Sequence, residues 1–222
     1  MSFDLRGHGK SKKFNKHNDY KIKHFAEDLN FLVQYLKIEK FIIVSHSFGA
    51  FVALEFLKNY GQAVTSSVFL SPSYNMKGRF LSSFLEVILW PIKLFDFVPL
   101  SNKKGYHIDY SKYKFTGDWN IRRTIADVSN TFFRIYLYSL RELYKVDYEP
   151  LLNKINIPVL IVHGKEDSIF PLKNSISMQS KIKDSKLIIL EKTDHIIVLN
   201  NFEEVSGAIK DFVDLSQTSG KI

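Results

Sequence analysis

Cysteine is absent from the 222 residues. That excludes a disulfide scaffold, a thiol nucleophile and any Cys-ligated zinc or iron–sulfur site. Long apolar runs are missing too: no stretch of about 18 apolar residues is free of charges, so no membrane-spanning helix is expected. A secretory leader is not expected either, because Asp4, Arg6 and Lys10 follow Met1 within ten residues. A reducing, cytoplasmic setting is the expectation that fits these absences. Internal repeats and low-complexity segments are lacking, and only the last seven residues read as a frayed tail. No His or acid spacing forms a metal motif, so no metal is expected.

What is present suits a folded domain. Hydrophobic residues make up 45% of the chain and aromatics 14%, enough for one core with a helical insertion. The net charge of +8 is uneven. Residues 1–24 hold seven Lys/Arg against two acids, and residues 74–120 hold seven against four. These are scattered lysines with no accompanying nucleic-acid-binding motif. They read as a solvated surface, and no nucleic-acid partner is expected.

Strands and helices alternate along the chain, with one interruption. Met1–Leu5 reads as the tail of a strand, ending in the turn Arg6-Gly7-His8-Gly9. Ile22, Phe25, Leu29, Leu32, Val33 and Leu36 recur at helical spacing within residues 20–37. Phe41–Val44 is a short apolar, β-branched run, the pattern of a strand buried on both faces. A helix is expected at about 48–59, and further buried strands at Ser67–Leu70, Pro158–Val162 and Leu187–Leu190. The last helix, 202–215, places Val205, Ala208, Ile209 and Phe212 inward. This alternation predicts a mostly parallel α/β sheet with flanking helices.

Residues 75–150 break the pattern. From Arg79 to Asp96 the polar positions fall on one side of a helical wheel, and Pro91 should kink or split the segment. A second helical pattern, rich in Phe, Tyr and Leu, runs from about Asn120 to Lys145. The expected organisation is a core in two parts, 1–74 and 151–222, with 75–150 inserted as a helical lid. Phe84, Leu85 and Ile88 lie on the apolar face of that lid, which would line a site beneath it and also suits peripheral contact with a membrane.

The residues that carry chemistry follow the first buried strand. It runs directly into Ser45-His46-Ser47-Phe48-Gly49, where a helix begins. A strand, a sharp turn and a helix with Ser at the apex present that hydroxyl outward at the end of a sheet. Small residues at 45 and 49 let the backbone double back tightly. The Phe48 backbone N–H, at the helix N-terminus, would point at a developing oxyanion.

Here the chain resembles the α/β-hydrolase superfamily, whose pattern is G-x-S-x-G with Ser, Asp and His in that chain order. Asp4-Leu5-Arg6-Gly7-His8-Gly9-Lys10-Ser11 resembles the family turn D-x-R-G-H-G-x-S. His163-Gly164-Lys165-Glu166-Asp167-Ser168-Ile169-Phe170-Pro171 resembles H-G-x-x-D-x-x-x-P, whose Asp is the triad acid. His195, in Thr193-Asp194-His195, stands where the family places its catalytic His. The resemblance thus implies Ser47 as nucleophile, His195 as general base and Asp167 as the acid, with Phe48 N–H in the oxyanion hole. His46, His8 and Arg6 read as structural.

The sequence departs from the pattern in three places. Ser45 replaces the first Gly, and Asp194 precedes the His where Gly is common. Family members also carry three strands and a loop with a second oxyanion donor ahead of the point where this chain begins. The expectation is therefore an N-terminally incomplete α/β-hydrolase fold with an open apolar edge at Phe41–Val44. The implied activity is hydrolysis of a carboxylic ester, with a small acyl or lipid-like substrate and no cofactor. Amidase, peptidase or carbon–carbon bond hydrolase chemistry on the same residues, or a non-catalytic binding protein, are the alternatives left open. Neither oligomeric state nor substrate identity is legible.

Overall fold

The computed structural model describes residues 1–76, 90–100, 104–106 and 108–218. Four strands form one parallel sheet in the order β1 (Phe41–His46), β2 (Val64–Leu70), β3 (Val159–Gly164) and β4 (Ser185–Leu190). Among the described residues eight α-helices accompany it: α1 (Ile22–Tyr35), α2 (Phe48–Tyr60), α3 (Ile121–Thr131), α4 (Phe133–Leu143), α5 (Glu149–Leu152), α6 (Leu172–Lys181), α7 (Ile197–Asn200) and α8 (Phe202–Thr218). Each strand faces the next in register, for example Val68 opposite Leu160 and Val162 opposite Ile188.

Side chains alternate across a strand, so both sheet faces must be apolar if helices cover both. They are. Ile43, Phe69, Val159 and Ile161 point to one side, where they pack with α1, α2 and α6 through residues such as Ile22, Phe51 and Met178. Val68, Leu70, Leu160 and Val162 point to the other, against Ile197 and Val205 of α7 and α8. Ala208, Ile209 and Phe212 pack there as the periodicity predicts. In α1, Ile22, Phe25, Ala26, Leu29 and Val33 are buried, but Leu36 lies past the helix end and is exposed.

Three expectations need correction. Val44 is 49% exposed, not buried as its composition predicts; β1 is the end strand of the described sheet, which agrees with the open edge expected at Phe41–Val44. Met1–Leu5 forms no strand. Its bonds close on the following turn instead: the Asp4 carboxylate accepts from Lys10 N–H at 2.9 Å, and Ser11 donates to the Asp4 carbonyl at 2.6 Å. Arg6 anchors this turn on α1 through a bidentate pair with Asp28, at 2.6 Å for each arm. Finally, the helix expected over 120–145 is two helices, split at Phe132, whose φ of 71° lies in the left-handed region.

Between β2 and β3 the named elements among the described residues are α-helices and 3₁₀ turns. Trp90–Phe97 forms 3₁₀ turns. Residues 77–89, including Phe84, Leu85 and Ile88, lie outside the described residues. Asp96 accepts from the His17 N–H and the Tyr138 hydroxyl at 2.9 and 2.7 Å, tying these turns to α4 and the N-terminal region. No helix among the described residues is long and apolar enough to cross a membrane.

Candidate active site

Ser47 stands between β1 and α2 with φ 53° and ψ −116°. A non-glycine residue held there costs on the order of 1–3 kcal/mol. The Ser47 N–H donates to Leu70 O at 3.1 Å and the Ser47 carbonyl accepts from Ala50 N–H at 2.9 Å, which over-determines the turn. A Cβ added at Gly49 would lie 3.6 Å from Ser45 Cβ, an ordinary contact. The turn therefore tolerates a methyl at 49, a looser demand than its sequence suggests.

Three sequence-predicted residues converge. Ser47 Oγ lies 2.7 Å from His195 Nε2, and His195 Nδ1 lies 2.7 Å from Asp167 Oδ2. A carboxylate only accepts, so Nδ1 of the neutral ring carries the proton and Nε2 accepts from the Ser47 hydroxyl. The Asp167 side chain is fully buried. Its other oxygen, Oδ1, accepts from the Ile169 and Phe170 N–H groups at 2.8 and 2.7 Å. Phe48 opens α2, so its N–H belongs to the first helical turn, where N–H groups have no intrahelical acceptor.

Two further histidines brace this arrangement. His163 donates from Nε2 to Phe170 O at 3.1 Å and accepts from the Ser175 hydroxyl at 2.7 Å. Burial pushes its pKa down, partly opposed by Asp167, so it supports the acid loop as a neutral ring. His46 donates from Nε2 to the His195 carbonyl at 3.0 Å. Burial, and secondly the nearby His195, bring the His46 pKa down to about 4.

This carries a pH consequence for stability. An unfolded histidine binds its proton near pH 6.5, and His46 in the fold does so only near 4. The unfolded state therefore holds more protons across that window, and stability falls as pH drops from 6.5 toward 4. The shift corresponds to roughly 3 kcal/mol at full effect. His163 and His8, also lowered by burial, act in the same direction. Urea melts at pH 7 and pH 5 should show the loss, and His46→Gln should reduce it. An equal midpoint at both pH values would contradict this assignment.

Ser47, Phe48 and His195 open into a cavity of about 890 Å³. Its walls come from the N-terminal turn (Asp4, His8) and from α3 and α4 (Asp127, Tyr136, Leu140, Leu143). His8, read from sequence as a turn residue, thus also faces the cavity. Among the described residues no group of three His, Cys, Asp or Glu could hold a metal ion.

A model of the alpha/beta hydrolase fold matches residues 1–202. This chain belongs to that family. Among related proteins, a proline iminopeptidase of Pestalotiopsis fici (PfmaB) is 26% identical over 96% of this chain and 81% of its own. A non-heme haloperoxidase of Rhodococcus erythropolis is 22% identical over the same shares. An esterase from Exiguobacterium antarcticum superposes with a TM-score of 0.73 at 20% identity, covering 95% of this chain and 80% of that one. The parallel sheet with flanking helices agrees with that family's fold.

Sequence reasoning missed Asp118. Its carboxylate accepts from His195 N–H at 2.7 Å and from Ser168 N–H and O–H at 2.9 and 2.6 Å. Nothing in Gly117-Asp118-Trp119 signals this, because the partners lie 50 and 77 positions further along the chain.

Proposed function

We propose that this α/β hydrolase cleaves carboxylic esters through an acyl-enzyme on Ser47. The observation that carries the reading is the unbroken Ser47–His195–Asp167 relay at the floor of a cavity beside a helix N-terminus. In this reading His195 Nε2 takes the Ser47 proton as Oγ attacks the ester carbonyl, and Asp167 holds the ring's tautomer and stabilises the imidazolium. The Phe48 N–H stabilises the tetrahedral oxyanion. Collapse expels the alcohol, protonated by His195, and water activated by the same ring releases the acid. Met76, Leu140 and Leu143 offer the acyl group an apolar wall, and the helices between β2 and β3 act as its cap.

A second reading, an aminopeptidase with the same machinery, is favoured by one feature. The Asp127 carboxylate, which accepts from Tyr110 at 2.6 Å, lines the same cavity and offers a substrate amine an anionic partner. It also fits the iminopeptidase relative. A fluorophosphonate probe should label wild type at Ser47 and leave Ser47→Ala unlabelled, and p-nitrophenyl esters from acetate to octanoate should release p-nitrophenol. Turnover of proline p-nitroanilide with the esters untouched would decide for the aminopeptidase. An unlabelled, inactive wild type would sink both readings.

A further inference from the structure

The turn that precedes α3 is built to reach the catalytic loops. Asn120 caps α3 by accepting from Arg123 N–H at 2.9 Å. Arg123, only 6% exposed, folds its guanidinium back and donates to the carbonyls of Asp118 and Gly117 at 2.6 and 3.3 Å. No carboxylate pairs with that guanidinium among the described residues; it is spent on shaping the turn. So shaped, the turn directs the Asp118 carboxylate, itself buried, toward the core. Oδ1 takes the His195 N–H, and Oδ2 takes both donors of Ser168. Trp119 adds a bond from Nε1 to Ser168 Oγ at 2.9 Å. Asn200 fastens the near end, accepting from Phe115 N–H at 2.8 Å and donating to Thr116 O at 3.3 Å.

Ser168 is the neighbour of Asp167, and the His195 N–H belongs to the base itself. The two loops are joined at their roots by the Glu166 N–H on Thr193 O, at 2.8 Å. At their tips the direct Asp167–His195 bond is joined by Asp118, which bridges both loops from the segment between β2 and β3. Charge-assisted bonds of this kind are about twice as strong as neutral ones. We propose that Asp118 is a positioning residue, a carboxylate supplied by the inserted helical segment that clasps the acid loop to the histidine loop and so makes the Ser47–His195–Asp167 geometry depend on docking of that segment. The inference rests on the hydrolase reading for its catalytic meaning. Arg123, Thr124 and Asp127 of α3 line the cavity, so a substrate that presses on α3 bears on the element holding the clasp.

Asp118→Asn tests it directly. An amide can accept on one side only, so its NH₂ must face either the His195 N–H or the Ser168 donors, and one arm opens. On p-nitrophenyl acetate kcat should fall about a hundredfold, as misplacement by an ångström does, with KM within about twofold. Circular dichroism and Tm should stay near wild type. In the proton spectrum the low-field resonance of His195 Nδ1–H, identified by its loss in His195→Gln, should broaden or vanish in Asp118→Asn. Ser168→Ala, which removes one arm and keeps the backbone donor, should lower kcat about fivefold and decides the matter if Asp118→Asn fails to fold. Unchanged kcat and an unchanged resonance in the folded variants would overturn the proposal, as would a wild type without that resonance. If wild type shows the resonance but hydrolyses no ester, its loss in Asp118→Asn upholds the clasp, and only the hydrolase reading falls.

Discussion

Ser47→Ala and His195→Ala should each lower kcat by about 10⁴-fold or more, and the double variant should lose little beyond either alone, because the groups act as a unit. Asp167→Asn should cost about 10³- to 10⁴-fold, for a reason visible in the site. The Ile169 and Phe170 N–H groups both need an acceptor on the Oδ1 side. They hold the Asn oxygen there and turn its NH₂ toward His195 Nδ1. The ring must then carry its proton on Nε2, where it can no longer accept from Ser47. Asp194 is the internal control. Its carboxylate accepts from Ile196 N–H at 2.9 Å and faces Asn200, so Asp194→Asn should cost less than about tenfold. Steady-state kinetics on one p-nitrophenyl ester compares all five; a tolerated Asp167→Asn beside a dead Asp194→Asn would reverse the acid assignment.

Gly164→Ala should be the most damaging glycine-to-alanine exchange among the described residues. A Cβ there would lie 2.2 Å from Asp194 O and 2.5 Å from Thr193 O, both backbone atoms. Neither can swing away as a side-chain tip could, so β3 and the histidine loop must part. We expect a loss of about 3 kcal/mol or more in urea melts, at the upper end of overpacking costs, and turnover reduced along with it. Gly207→Ala on α8 is the contrast. A Cβ at that site meets nothing within 4 Å, and the exchange should stabilise by up to about 1 kcal/mol. Equal melting of Gly164→Ala and wild type would show that the two loops are not pressed together as described.

Both results depend on features of very different legibility. The glycine after His163 stands in a motif that the sequence displays, yet the reason for it, the Thr193–Asp194 backbone across the gap, does not. The order of strands and helices, the inward faces of α1 and α8 and the apex position of Ser47 were readable. Each is a local pattern: periodicity reports which face of an element is buried, and a strand that ends in Ser-His-Ser-Phe-Gly must turn sharply to continue as a helix.

Three features were decided by tertiary structure. Phe132 breaks α3 from α4 with no Pro or Gly to announce it; its backbone sits at positive φ, a strain no propensity describes. Val44 has the composition of a core residue and stays half exposed, because hydrophobicity records what a side chain prefers and neighbours determine what covers it. Asp118 looks like an ordinary acid before a helix, but folding sets its two oxygens against donors on two distant loops. Sequence alone pointed to Ser47, His195 and Asp167 and to the faces that turn inward, since those readings follow from residue type, spacing and motif. Distances between side chains far apart in the chain were determined only when the sheet brought its loops to one end, since long-range contacts are set by packing the whole core.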